Sequence, residues 1–379
     1  MLDPATQQQL KEAVFDQIDQ DMSVLQNLRD EINVLRSAMR RINARTTTSI
    51  SLVGTDGGNN QVRFDPFLVQ VVRVVDSSNN EYCVEAVTPT TNVAKLSARQ
   101  FDSSGAPRTA LGAMMEFLGV DDLTRLSHMI RRNDGGDPTS SSWVQVYREL
   151  VEWAVLFKIL RDKDFASDTI IVYDGLLRSK VFAGELFIRL SEGLARHIKR
   201  HRQQRRNIYL VGLAKHSKVL TRYRLAMSLE GILRTSYPAY AEIPRDVEAK
   251  AYTWSEYARG SDIAAEGGEA NKFVAGKMFF VKFGPREDDP IWPVDLFEPQ
   301  AGQAPDVLGA LLADATEGFP VPFYPLCLQR AHEHAALVDF DFDVLQDLVF
   351  DGIRGALGNE APTMDEFQLH DSDPSGRRY

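Results

Sequence analysis

The spacing of hydrophobic residues changes along this chain, and each change predicts a different element. Near the N-terminus, apolar residues recur every three or four positions, which is the rhythm of an amphipathic helix with a coiled-coil seam. This pattern predicts one helix over 8–43, and it leaves open whether the seam packs on the chain's own domain or on a second chain. The seam residues are Leu10, Val14, Ile18, Met22, Leu25, Leu28, Ile32, Leu35, Met39 and Ile42.

A strand pattern follows the N-terminal helix. Residues 48–54, 62–75 and 82–89 are rich in Val, Ile, Leu and Thr, and the polar run 76–80 is a turn signal. Sequential strands with short turns predict an antiparallel meander.

The middle of the chain alternates between helical and strand patterns, which predicts parallel strands joined by helical crossovers. The predicted elements are helices 106–119, 121–132 and 142–163, strand 169–174, helix 184–202, strand 207–214 and helix 217–233. Proline interrupts the stretch 235–303, where strand 277–283 is predicted, and helices return at 304–315, 324–338 and 343–356.

This element order is that of a ribonuclease H-like α/β fold, a mixed sheet flanked by helices. The domain organisation that we predict is an N-terminal helix over 1–45, a main domain over 46–356 and a mobile polar tail over 357–379. The stretch 235–303 is interpreted as an irregular insertion in the main domain.

Composition limits the classes of protein that this chain can represent. The 379 residues are 44% hydrophobic and 25% charged, which is typical of globular proteins. No apolar run reaches the roughly 18 residues of a membrane span, and the first residues carry no secretory pattern. With two cysteines, the chain offers neither a disulfide framework nor a cysteine metal site, so we expect a cytoplasmic protein.

Candidate catalytic residues lie where apolar strand patterns end. Asp56 and Asp174 each follow such a run and precede glycine, and Lys215 ends the run 208–214. Taken alone, each Asp-Gly pair also suits a simple turn or strand end. In the predicted fold, however, the two aspartates end adjacent strands and can share a divalent cation.

A third carboxylate is expected from helix 142–163, which offers Glu149 and Glu152. Glu152 has the more apolar neighbours and is favoured over Glu149. Farther along, His332 and His334 lie on different faces of helix 324–338, so a regular helix cannot direct both to one metal. A histidine at this position is interpreted as an acid outside the set of metal ligands or as a contact to the scissile phosphate.

The acidic chain, with a net charge of −10, contains a dense basic cluster at 196–206. Such a cluster suits either a solvated helix end or phosphate binding. As a DNA-binding surface it would use Lys199, Arg200, Arg202, Arg205 and Arg206.

These motifs together resemble the NurA nuclease family over about residues 48–340. The resemblance is carried by Asp56-Gly57-Gly58, a helical glutamate, Asp174-Gly175, the run 211–215 and Tyr324-Pro325 with Arg330-Ala331-His332. It implies a homodimeric, Mn²⁺-dependent nuclease with 5′–3′ exonuclease and endonuclease activity on single- and double-stranded DNA ends. It also implies a partner, the hexameric ATPase HerA, and a role in double-strand break repair.

Family roles transfer to this chain as a set of expectations. Asp56, Glu152 and Asp174 would be metal ligands, and Lys215 and His332 would assist. Phosphodiester hydrolysis by two cations needs carboxylates of this kind, with Mn²⁺ favoured by a nearby imidazole and Mg²⁺ also possible. Two other functions fit the same residues: a nuclease effector of antiviral defence, and an inactive dimeric scaffold that binds DNA ends.

Overall fold

The computed structural model describes residues 3–45, 50–64, 67–131, 142–251 and 273–362. The strands are β1 (Met39–Arg41), β2 (Ile50–Phe64), β3 (Phe67–Asp76), β4 (Glu81–Val87), β5 (Asp168–Asp174), β6 (Ile208–Leu213), β7 (Ala239–Glu242), β8 (Gly276–Lys282) and β9 (Ile291–Phe297).

Helices connect and cover these strands. They are α1 (Pro4–Asn33), α2 (Leu35–Ala38), α3 (Val93–Arg99), α4 (Ala110–Leu118), α5 (Leu123–Leu126), α6 (Ser142–Asp162), α7 (Leu186–Gln203), α8 (Lys218–Leu229), α9 (Arg245–Lys250), α10 (Ala304–Thr316), α11 (Leu326–Ala335) and α12 (Asp339–Leu357). Short 3₁₀ helices span Glu298–Gln303 and Gly358–Glu360. Among the described residues, no helix is long and apolar enough to cross a bilayer.

The strands form one nine-stranded mixed sheet in the order β1-β7-β8-β9-β6-β5-β2-β3-β4. β2, β5 and β6 are parallel neighbours, and the other pairs are antiparallel. The predicted class, a mixed sheet flanked by helices, is confirmed, as is the antiparallel meander β2-β3-β4.

The central strand β5 is buried on both faces, which explains its continuous run of apolar residues. Ile171 and Tyr173 face a core formed with α4, α6 and α7. Ile170 and Val172 face the opposite core, which contains residues of α10 and α11. The sheet therefore lies between two helical layers.

The prediction that a strand ends at Asp56 is wrong. β2 continues for 15 residues through the Gly-Gly pair, and its second half pairs with β3 as far as Phe64 and Phe67. The alternative of a hairpin turn at Asp56-Gly57 is excluded for the same reason. What ends there is the neighbouring strand: β2 pairs with β5 only as far as Thr55 and Tyr173.

The stretch 235–303 is not an irregular insertion, because it supplies three strands of the sheet. β9 lies between β6 and β8, and β7 lies beside β8. Sequence reasoning identified β8 alone, since β7 has four residues and β9 contains Pro293, a residue that argues against an inner strand. Residues 252–272 lie outside the described part of the chain.

The predicted single helix over 8–43 is also wrong in its second part. α1 ends at Asn33, and residues 39–41 form a strand that pairs with β7. Ile32 and Leu35 are buried in a core with residues of α8, so this end of the seam packs on the chain's own domain. The first half of the seam is exposed, namely Leu10, Val14, Ile18 and Met22.

Other boundaries differ less. Helix 106–119 is shorter, 121–132 reduces to the single turn α5, and α3 was not predicted. The remaining predicted helices and strands are present with shifted ends. Of the predicted tail, residues 363–379 lie outside the described residues.

Candidate metal centre

Parallel pairing brings Asp56 and Asp174 together. The last paired residues of β2 and β5 are Thr55 and Tyr173, so the next residue of each strand lies beside the other. Side chains alternate along a strand, which places both carboxylates on the face that carries Ile170 and Val172. Although Asp56 is inside β2, it meets Asp174 at the point where β5 ends.

Helix α11 closes this face and supplies an imidazole. Nδ1 of His332 lies 2.8 Å from Oδ2 of Asp56. The helix lies directly on the backbone of β2, because a Cβ at Gly54 would be 2.3 Å from the Cys327 carbonyl oxygen and one at Gly58 would be 2.2 Å from that of Ala335. These glycines therefore allow the close approach that brings His332 to the carboxylate.

Ligand atoms of Asp56, Asp174 and His332 all lie within 4.8 Å of one another. The carboxylate side chains are 11% and 14% exposed, and the imidazole is 62% exposed. Burial raises the pKa of Asp174, the charge of Asp56 adds to this rise, and Lys215 opposes it. Two crowded acids beside an imidazole are a donor set that fits a divalent cation.

Glu152 reaches β2 from α6, on the opposite side from α11. A Cβ at Gly57 would lie 2.1 Å from Oε1 of Glu152, so the glutamate touches the backbone next to Asp56. The Tyr173 hydroxyl donates to Oε2 at 2.9 Å, and Arg148 Nε lies 3.2 Å from Oε1. Glu152 is not part of the three-residue cluster, although it touches the residue next to Asp56.

The environment of Glu152 favours its neutral form in the metal-free protein. Burial raises its pKa to about 8, and the negative charge of Asp56 raises it further, whereas Arg148 and Tyr173 lower it. By contrast, Glu149 accepts a hydrogen bond from Ser179. Of the two glutamates considered from sequence, Glu152 is the one that touches β2 next to Asp56.

Two more side chains contact Asp174 from the α11 face. Lys215 Nζ lies 3.8 Å from Oδ2, and the Tyr324 hydroxyl donates to Oδ1 at 3.1 Å. Lys215 also lies over the Tyr324 ring, 5.5 Å from its centroid. Sequence reasoning placed Lys215 here but gave no role to Tyr324, although Tyr324-Pro325 was among the motifs.

Tyr173 and Arg148 were also missed. Both have a sequence signal: Tyr173 directly precedes Asp174, and Arg148 lies one helical turn before Glu152, the spacing of an i, i+4 ion pair. Neither signal says that the side chain ends at the same carboxylate.

The chain that follows Asp174 is fixed by a buried ion network. Arg178 lies 2.6 Å from Asp295 and 2.6 Å from Glu248, and all three side chains are almost inaccessible. Breaking a pair of this kind leaves an uncompensated buried charge, which is strongly destabilising. The loop after β5, and with it the end of the strand at Asp174, is therefore held firmly in place.

The basic cluster lies at the other end of the sheet. It ends at the start of β6, where Ile208 pairs with Thr169 at the start of β5. Asp168 and Asp174 begin and end β5 and are six residue steps apart, about 20 Å at ~3.3 Å per residue. Some cations of the basic cluster have structural roles, since Arg200 and Arg206 donate to backbone carbonyls of Arg161 and Phe165. Lys199, Arg202 and Arg205 are exposed.

No family model and no curated protein matches this sequence. Among solved structures, the NurA nuclease from Sulfolobus solfataricus is similar, with 11% identity and a TM-score of 0.46 over 92% of this chain and 98% of that one. A NurA bound to dAMP and manganese is similar with 9% identity and a TM-score of 0.38, over 88% and 94% of the two chains. A third NurA structure has 11% identity and a TM-score of 0.37.

Proposed function

We propose that this chain is a metal-dependent deoxyribonuclease. The observation that carries this proposal is the convergence of Asp56, Asp174 and His332 within 4.8 Å, with a lysine beside them. Carboxylates on neighbouring buried strands hold a hard cation rigidly, and a lysine at the same point suits a phosphate.

Each residue has a role in this proposal. Asp56 and Asp174 would hold the metal from the α11 face of the sheet, and Glu152, which touches β2 from the α6 face, would be the third carboxylate. A divalent cation held there would supply charge neutralisation at the scissile phosphate and activation of the attacking water. Lys215 adds a point charge to the phosphate, and Tyr324 holds the orientation of Asp174. His332, whose pKa is raised by its hydrogen bond to Asp56, either donates to the phosphate or joins the ligand set.

The finer assignments follow from the resemblance. An imidazole among carboxylates favours Mn²⁺ over Mg²⁺. We infer a homodimer that cuts single- and double-stranded DNA ends, as exonuclease and endonuclease, together with a HerA-type ATPase in break repair.

The proposal is tested with Asp56→Asn and Asp174→Asn. Each should reduce Mn²⁺-dependent cleavage of DNA by at least about a thousandfold, because loss of a metal ligand removes most of the transition-state stabilisation. Each should also weaken Mn²⁺ binding in calorimetry. Asp347→Asn, an exposed aspartate on α12, serves as the control and should behave as wild type. Full cleavage by either active-site variant would overturn the assignment.

A further inference from the structure

A cleft of about 550 Å³ opens beside the metal centre, between α8 and the loop that leads into β9. We call it the α8 cleft. Its size is within the range of small-ligand sites. The residues that decide its chemistry are Lys215, His216, Arg224, Ile232, Ile291 and Trp292.

The α8 cleft is continuous with the metal centre along two walls. Lys215 lines the cleft and also lies 3.8 Å from Asp174. Trp292 lines it too, and its ring is 4.9 Å from the ring of Tyr324, which donates to Asp174. A ligand group held at Asp174 can therefore extend directly into the cleft.

The inner part of the cleft is apolar and the rim near Asp174 is cationic. Met227 and Ile232 are buried there, and Ile291 and Trp292 are half-buried. Such a floor suits the flat face of a nucleobase, which stacks on apolar and aromatic side chains.

At the rim, Lys215, His216 and Arg224 are exposed. The rim is also the N-terminus of α8, where Ser217 caps the helix by accepting from Leu220 N at 2.9 Å. A helix N-terminus carries partial positive charge, and cations placed there add to it. This end of the cleft therefore attracts a phosphate.

Part of the lining of the cleft is acidic, and it limits what enters. Glu287, Asp288 and Asp289 form this part. Arg234 lies 3.5 Å from Glu287, and Asp289 accepts from the Arg286 amide at 2.7 Å. Acids in this part repel a second phosphate, so the cleft suits one nucleotide and not a continuing strand.

We propose that the α8 cleft binds one unpaired nucleotide next to the phosphate held at the metal centre. This proposal rests on the nuclease function and deepens it: the base enters the apolar floor, its phosphate stays at the cationic rim, and the substrate must present an unpaired base.

Two substitutions at exposed positions of α8 test this proposal without touching the core. Thr221→Trp fills the cleft, and Arg224→Gln removes a rim charge; Leu225→Trp, on the same helix but outside the cleft, is the matched control. The probes are a fluorescein-labelled hairpin with a single-stranded overhang and the same hairpin with a blunt end, measured by anisotropy in EDTA.

Both cleft variants should bind the overhang probe about tenfold more weakly, the typical contribution of one stacked base. The blunt probe, and Leu225→Trp with either probe, should bind as wild type does. Either of two results would overturn the proposal. In the first, wild type and the cleft variants all bind the two probes equally well. In the second, the cleft variants lose the same affinity for both probes. If wild type cuts DNA with Mn²⁺ but Thr221→Trp binds the overhang probe as wild type does, only the proposal for the α8 cleft is refuted. If wild type neither binds nor cuts DNA, the proposed nuclease function is refuted as well.

Discussion

Gly57 decides how closely the Glu152 side chain approaches β2 beside Asp56. Its missing side chain leaves space for Glu152, whose Oε1 would otherwise be 2.1 Å from a Cβ. Glu152 is buried and held by Tyr173 and Arg148, so it has little freedom to move aside.

We therefore expect Gly57→Ala to displace Glu152 and to reduce Mn²⁺-dependent cleavage by at least about tenfold, since small displacements of positioned groups cost this much. Gly352→Ala is the control, because a Cβ at that α12 position meets nothing within 4 Å. Cleavage rates measured side by side decide the question. A fully active Gly57→Ala would mean that Glu152 does not need its present position.

In its proposed role as a metal ligand, Glu152 would also make metal binding depend on protons. With a pKa of about 8 in the metal-free protein, it holds a proton at pH 7. A cation must displace this proton, so Mn²⁺ affinity should rise from pH 6 to pH 8 and binding should release protons. Calorimetry in buffers of different ionisation enthalpy measures the release, which should fall in Glu152→Gln. His332 contributes in the same direction, and His332→Gln separates its share.

The same group affects the stability of the metal-free fold. The folded pKa of Glu152 lies above the ordinary value of 4.5, so the folded state binds the proton more tightly than the unfolded state. The stability that this group contributes to the fold is then fully present below about pH 4.5 and is lost as the pH rises towards 8. Between pH 6 and pH 8 in EDTA, the Tm of wild type should fall more than the Tm of Glu152→Gln does. Equal slopes would show that the glutamate is already ionised.

At the level of elements, α1 has two parts with different surroundings. Ile32 is fully buried, whereas Ile18 is 53% exposed on the same helix. Ile32→Ala should lower the free energy of unfolding by about 2–5 kcal/mol, and Ile18→Ala by less than about 0.5 kcal/mol. Chemical denaturation of both variants makes the comparison. A large, concentration-dependent loss in Ile18→Ala would instead show that a second copy covers the exposed half.

Sequence patterns predicted the elements whose signal is local. β5, β6, α6, α7 and α8 were placed within a few residues, because period and length agree in long segments. β1 and β7 are too short to show a hydrophobic period, and the proline in β9 argues against a strand. Their partners decide that they are strands, and pairing across the sheet is not visible in a single segment.

The candidate site divides in the same way. Asp56, Asp174 and Lys215 follow apolar runs, so strand patterns were enough to group them. Tyr173, Arg148 and Tyr324 act through hydrogen bonds and ion pairs to those residues, and such contacts depend on how α6 and α11 pack. The extent of β2 beyond Asp56 was missed because glycine pairs ordinarily mark turns.

At the scale of the whole molecule, the metal centre and the basic cluster are at opposite ends of β5. If both contact one DNA, only a strand long enough to span about 20 Å touches both. Replacing Lys199, Arg202 and Arg205 by Gln should weaken binding of a long strand and flatten its salt dependence, while a dinucleotide should bind as before. Anisotropy titrations at several salt concentrations measure this. An unchanged salt slope for the long strand would mean that the cluster is only a solvated surface.

The residues of the metal centre come from distant parts of the chain, and His332 lies 276 positions after its partner Asp56. During translation, the segments that carry Asp56, Glu152 and Asp174 leave the ribosome long before α11 does. Until then the carboxylates lack His332 and Tyr324, and the face of β2 that α11 covers stays open. If the chain has the proposed nuclease function, its candidate site is therefore complete only when synthesis is nearly finished.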